Sequence, residues 1–208
     1  MKKYHCYSAE FDKKTEELFK NACLLGQGNN GIVYELPENK IIKLFVEESV
    51  CSDESRILFK TKGSKYFPKI YKAGKLYIVR DKVDGIILNK YIKKYGLNKE
   101  LTFNIYKLTK EFKRLGFSKI DTRCKDVLVK EDNSIMIIDP KKCYNRKVDF
   151  PRHLMKGFLK LEVLEEFYFY LEQIDKKKAD EWRNKFNKYW AKEKFKSKYI
   201  RDYEAYYF

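Results

Sequence analysis

Leu25-Gly26-Gln27-Gly28-Asn29-Asn30-Gly31-Ile32-Val33-Tyr34, with Ile41-Ile42-Lys43-Leu44-Phe45 shortly after it, is the stretch that decides the fold. Gly26, Gly28 and Gly31 open a turn between two strand-like runs, and glycine lets a backbone come close to a phosphate. In the second run, alternation puts Ile41, Lys43 and Phe45 on one face. A lysine that shares a face with two apolar side chains needs an anion beside it unless the strand is a solvated edge. A glycine hairpin alone says little. Its weight comes from the charged residues farther along the chain.

Residues 48–62 read as a helix in which Val50, Glu54, Ile57 and Leu58 form one stripe. A carboxylate on an apolar stripe is costly unless paired, and Lys43 is its natural partner. Glu47 and Glu48 fall at the helix start, where acidic residues are ordinary. Gly63 ends the helix. Residues 67–71 and 76–79 read as strands around Ala73-Gly74-Lys75, and Asp84-Gly85 as a further turn before a short helix over 86–95. Leu101, Ile105, Leu108, Phe112 and Leu115 mark the clearest helix, stopped by Gly116. A polar loop over 118–126 leads to strands at 127–129 and 135–138, the second running into Asp139-Pro140. Residues 153–198 read as helical, with Leu161, Leu164, Tyr168 and Leu171 on one stripe and Trp182, Phe186 and Tyr189 on another. A short helix over 10–20 precedes the glycine stretch. The plan is α+β: strands with one helix, then mostly helices, with a seam near 80–86.

Three aspartates stand out. Asp121 and Asp126 share one loop, and Asp139 ends the strand that comes after it. A hairpin returns its ends close together, so Asp126 and Asp139 are expected as neighbours. Clustered carboxylates repel unless a cation lies between them, and oxygen-only ligands suit Mg²⁺ or Mn²⁺ shared with phosphates. Each aspartate alone would pass for a turn residue. The three at this spacing, behind a glycine loop and a lysine–glutamate pair, point to phosphate chemistry.

Taken together these residues resemble the protein-kinase-like superfamily, and compact bacterial and Rio-type kinases within it. Gly26 to Val33 matches the glycine-rich loop G-x-G-x-x-G-x-V, Lys43 the lysine of the third strand, and Glu54 the glutamate of the next helix. Residues 79–85 resemble the hinge, residues 120–129 the catalytic loop with Asp121 at the base position, and Ile137-Ile138-Asp139-Pro140-Lys141 the metal-binding segment. The resemblance covers residues 21–150. It implies a bilobal fold, with an antiparallel sheet and one helix over 1–82 and a reduced helical lobe over 83–208. It implies an ATP-dependent Ser/Thr protein kinase, acting on a protein substrate and on itself. In that reading Gly26, Gly28, Gly31, Val33 and Lys43 bind ATP, and Glu54 orients Lys43. Asp126 and Asp139 hold Mg²⁺, with Mn²⁺ as the alternative, while Asp121 and Arg123 act on the transferred group.

The chain departs from the family at several positions. Lys119 and Ile120 replace the histidine and arginine before the base, Arg123 the lysine after it, and Asp126 the metal-binding asparagine. Pro140-Lys141 replaces Phe-Gly, and the activation segment is short. Loss of the arginine removes the usual receptor for an activation-loop phosphate, so activity without loop phosphorylation is expected. A small-molecule phosphotransferase, and a pseudokinase acting as a nucleotide-binding module, remain alternatives.

The net charge of +16 favours acidic partners or RNA, or else reflects a solvated lysine surface. Trp182, Trp190 and Tyr199 either pack the helical part or stack on bases. Five cysteines at 6, 23, 51, 124 and 143, with only His5 and His153, argue against a structural zinc site and for free thiols. The N-terminal residues lack a signal-peptide core, and no apolar run is long enough to span a bilayer. A cytoplasmic location is expected.

Overall fold

The computed structural model describes residues 10–207, with side chains to residue 194. The chain divides into two compact units. One runs to Ile86 and takes in Asp126–Cys143. The other holds Ile87–Lys125 and the chain from Tyr144 onward. A single cut near residue 82 therefore does not separate them, because the second hairpin belongs with the sheet.

The sheet unit is built on five antiparallel strands in the order β1-β2-β3-β5-β4. They are β1 (Cys23–Gly28), β2 (Gly31–Leu36), β3 (Lys40–Phe45), β4 (Ile70–Ala73) and β5 (Tyr77–Asp81). β3 lies at the centre of the sheet and is buried on both faces from Ile41 to Phe45, so Lys43 is not on a solvated edge. One face carries Leu36, Ile42, Leu44, Tyr77 and Val79, against which Phe11, Leu18, Phe19 and Tyr34 pack. Phe11 precedes α1 (Lys13–Phe19) and Phe19 ends it. This helix is started by Asp12, whose carboxylate accepts from Thr15 N at 2.9 Å. The helix α2 (Glu48–Lys60) buries Cys51, Glu54, Ser55, Ile57 and Leu58. The expected strand at 67–71 begins later, at Ile70. Pro68 has no N–H to give a ladder, and Phe67 N turns back to Ser64 O.

A short strand, β6 (Ile86–Ile87), leads out of the sheet unit, which resumes later in the chain with β7 (Val127–Val129) and β8 (Ile135–Ile137). These last two pair Val127↔Ile137 and Val129↔Ile135 around Asn133, which sits at φ 57°. Hydrogen bonds tie this hairpin and its exit to the rest of the sheet unit. Ile137 N donates to Tyr66 O, Arg80 Nη2 to Ile138 O, and Lys142 N to Asp53 Oδ2. Gly85 admits the hairpin: a Cβ there would stand 2.6 Å from Val129 O.

The helical unit contains α3 (Leu88–Tyr95), α4 (Lys99–Arg114), α5 (Arg152–Lys160) and α6 (Leu164–Tyr207). The expected helix over 86–95 loses its first two residues to β6. α4 starts at Asn98, whose side chain accepts from Leu101 N at 2.8 Å, and buries Leu101, Ile105, Tyr106, Leu108 and Phe112. It stops at Gly116, φ 71°. Leu161 closes α5 rather than joining the Leu164–Tyr168–Leu171 stripe, because Glu162 turns the chain at φ 62°. α6 is two helices broken at Asp175 (φ −157°, ψ 87°). Trp182 is buried and stacks on Phe167, so it belongs to this unit's core; Trp190 stacks on Phe186. The Tyr199, Tyr203, Tyr206 and Tyr207 side chains lie outside the described residues, as does Cys6. Cys51, Cys124 and Cys143 are buried thiols and Cys23 an exposed one. No helix among the described residues is long and apolar enough to cross a membrane.

Candidate active site

In the sheet unit, alternation along β3 turns Lys43 to the same side as Ile41 and Phe45, and the pitch of α2 brings Glu54 to meet it. Lys43 Nζ donates to Glu54 Oε2 at 2.6 Å. The same ammonium donates to Asp139 Oδ1 at 3.1 Å, two residues beyond the end of β8. Lys141 Nζ closes on the other oxygen of Asp139 at 2.7 Å. Burial alone would raise the Asp139 carboxyl, but Lys43 and Lys141 outweigh it and hold it down to about 2. Glu54 is deeper. Burial pushes its carboxyl up to about 7 against the pull of Lys43, with Asp139 adding to the rise. Its second oxygen, Oε1, makes no hydrogen bond.

Arg80, buried on β5, completes this group of charges. It donates to Asp81 O at 2.9 Å and Ile138 O at 3.3 Å, and its Nε makes no hydrogen bond. Neither Arg80 nor Lys141 is among the residues expected from sequence. Arg80 carries a weaker form of the signal that exposed Lys43, a charge on the strand directly after the apolar run Tyr77-Ile78-Val79. Lys141 has no such signal, since a lysine in a lysine-rich loop is unremarkable.

The glycine stretch is the β1–β2 hairpin, with Gly28 opposite Gly31 and Gly26 opposite Val33; Val33 in turn lies opposite Lys43. A bulge at Leu25 shifts the register just before Gly26. The three glycines differ. A Cβ on Gly31 would stand 1.8 Å from Leu44 O, so the fold itself requires glycine there. At Gly26 and Gly28 a Cβ would meet nothing within 4 Å, so the strands alone do not require glycine.

Asp126 immediately precedes β7, and its carbonyl accepts from Ile138 N at 3.0 Å, so the two carboxylate-bearing ends of the hairpin meet as expected. Among the described residues no group of three or more histidine, cysteine or acidic side chains is placed to hold a metal. Two hard-oxygen carboxylates, one held ionised by lysines, nevertheless fit a cation that takes its remaining ligands from phosphates and water, as Mg²⁺ does.

Asp121 and Arg123 lie in the helical unit. Asp121 is fully buried, and the start of α5 supplies its partners. Its Oδ1 accepts from the backbone N–H of His153 at 2.9 Å, its Oδ2 is hydrogen-bonded to His153 Nδ1, and Arg152 Nε stands 3.9 Å away. Arg123 is half-buried two residues further on. His153 and Arg152 are not foreseeable from sequence, because nothing in their local pattern links them to a loop thirty residues earlier.

No protein-family profile matches the chain. Over 141 residues it is 24% identical to the Bacillus subtilis (strain 168) protein named "Putative serine/threonine-protein kinase YrzF", covering 64% of each chain. Its structure matches the crystal structure of WbdD with a TM-score of 0.51 and 16% identity, over 68% of this chain and 37% of that one. The fold is protein-kinase-like. The chain spans less than two thirds of the length of either relative.

Proposed function

We propose that this protein is an ATP-dependent kinase that transfers the γ-phosphoryl group to serine or threonine hydroxyls of proteins, its own included. The observation that carries the reading is Lys43, an ammonium fixed inside a central strand between Glu54 and Asp139. Such a group is costly to bury, and replacing the pair by apolar side chains would serve the fold as well. A phosphate-binding role accounts for its presence.

In this reading the amides of the Gly26–Gly31 hairpin cover the phosphates, and the open space at Gly26 and Gly28 leaves room for their oxygens. Val33 provides apolar surface for the base. Lys43 exchanges Asp139 for the α- and β-phosphates while Glu54 keeps it oriented. Asp126 and Asp139 would hold Mg²⁺, or Mn²⁺, which neutralises phosphate charge when bound. Arg123 offsets charge on the transferred group, and Asp121 serves the attacking hydroxyl. Positioning and charge neutralisation are what phosphoryl transfer requires.

The test tracks γ-labelled phosphate from ATP, with Mg²⁺ and separately with Mn²⁺, onto the protein itself and onto a generic basic protein. Wild type should label serine or threonine, and Lys43→Met should not. No label from wild type, with nucleotide still raising its melting temperature, would reassign the chain as a nucleotide-binding module. No label and no nucleotide binding would overturn the reading of Gly26–Gly31 and Lys43.

A further inference from the structure

The carboxylate at the expected base position is not available to an incoming hydroxyl in the usual way. Asp121 has no exposed side-chain surface, and both its oxygens are engaged by one residue, His153, through the backbone N–H and the ring. A carboxylate only accepts, so the hydrogen in the ring contact sits on Nδ1 and the imidazole lone pair is left on Nε2. The His153 side chain is 36% exposed against 0% for Asp121. Of the two, the histidine is the one that solvent, and a hydroxyl group, can reach.

We infer that His153 Nε2 is the proton acceptor for the substrate hydroxyl, with Asp121 as the residue that fixes its tautomer and orientation. The inference rests on the kinase reading. In the step, the hydroxyl proton passes to Nε2 as its oxygen bonds to the γ-phosphorus, and the bond from that phosphorus to the leaving nucleoside diphosphate breaks. The imidazolium so formed is balanced by the Asp121 carboxylate and later gives its proton to water.

The surroundings are consistent with this division of labour. Arg152 lies near Asp121 and stacks its guanidinium 5.4 Å over the Tyr189 ring of α6. Burial and Glu193 raise the Tyr189 phenol, which keeps it protonated. Glu193 is itself engaged by Lys156 at 3.6 Å. Asp121 is thus the carboxylate bonded to the His153 ring, with Arg152 3.9 Å from the same oxygen, while the acidic Glu193 faces Tyr189 and is paired with Lys156.

The experiment compares wild type, His153→Asn and His153→Gln in phosphate transfer across pH, with melting temperature and ¹⁵N imidazole spectra as readouts independent of activity. Asparagine can keep a donor to Asp121 but has no proton-accepting nitrogen, so it separates holding Asp121 in place from taking the proton. Both variants should retain the wild-type melting temperature and KM for ATP and lose about 10²- to 10³-fold in kcat. The acid-side fall of the wild-type kcat should vanish from the residual activity. The wild-type spectrum should show hydrogen on Nδ1, and Asp121→Asn should redistribute it. Full kcat in His153→Asn with an unchanged pH profile would overturn the inference and leave histidine a positioning residue. A wild type that transfers nothing would overturn the kinase reading and this inference with it. An active wild type beside equally active variants would overturn the inference alone.

Discussion

Glu54 reaches Lys43 with one carboxylate oxygen, 2.6 Å from Nζ, and leaves the other buried without a hydrogen bond. The pair is therefore an incomplete match: the ammonium is shared with Asp139, and the glutamate is more deeply buried than its one bond can offset. Burial holds its carboxyl up to about 7, whereas Asp139, with two lysines, is held down to about 2.

A pH dependence of stability arises from the sign of each shift. Glu54 has a folded-state value above its ordinary 4.5, so its contribution is fully present below 4.5 and is lost as pH rises through about 7. Asp139 runs the other way. Its contribution is present above 3.8 and is lost as pH falls through about 2. Urea unfolding between pH 4.5 and 7.5 should therefore show wild type losing stability with rising pH, on the order of 3 kcal/mol in the ligand-free protein. Glu54→Gln should flatten that slope. Parallel curves for the two proteins would remove the shift at Glu54 from the account.

The same incomplete pairing predicts that stability and activity come apart. Lys43→Met with Glu54→Leu replaces a buried ion pair by side chains of similar volume, a change that is often neutral or stabilising. The double variant should melt no lower than wild type and transfer no phosphate. Glu54→Ala alone should destabilise by about 3 kcal/mol, since it leaves both a cavity and an under-paired ammonium. A double variant that fails to fold would make the pair a structural requirement instead.

The glycine hairpin separates in the same manner. Gly31→Ala places a methyl against the Leu44 carbonyl, a backbone atom that cannot yield cheaply, and should cost about 3 kcal/mol or more. Gly28→Ala meets nothing and should leave the melting temperature unchanged, while raising KM for ATP about tenfold. Denaturation and nucleotide titration of the two variants measure the contrast. Equal loss of stability in both would contradict it.

The sheet unit is legible in the sequence because its chemistry violates its own patterns. Lys43 in an apolar strand, Glu54 on an apolar stripe and glycines at fixed spacing each conflict with local propensity, and such conflicts resolve only in contact with one another. Asp126 and Asp139 are readable as neighbours because a short hairpin fixes its ends. The surroundings of Asp121 are not readable. Its partners enter from the start of α5, about thirty residues later in the chain, and a long-range backbone N–H leaves no trace in composition. The break in α6 is hidden for a related reason. The run Ile174-Asp175-Lys176-Lys177-Lys178 contains no glycine or proline, and only tertiary bonding to Asp175 selects the kink.

That kink yields the last expectation. Asp175 leaves the helical region so that Oδ1 can accept from Lys178 N at 3.0 Å, capping the second segment of α6, while Oδ2 accepts from the buried Tyr106 hydroxyl on α4. Burial and this bond push the Tyr106 phenol up to about 12, and the Asp175 carboxyl lies below its ordinary value chiefly through the same bond. Tyr106→Phe removes one charge-assisted hydrogen bond and should cost about 1.5–3 kcal/mol. Asp175→Ala removes that bond and the cap, which adds about 1 kcal/mol. Because the two share the Tyr106–Asp175 bond, the double variant should cost no more than Asp175→Ala alone, and a double-mutant cycle in urea measures the coupling. Strictly additive losses would mean that the aspartate only caps α6, leaving Tyr106 no part in fixing the angle between its two segments.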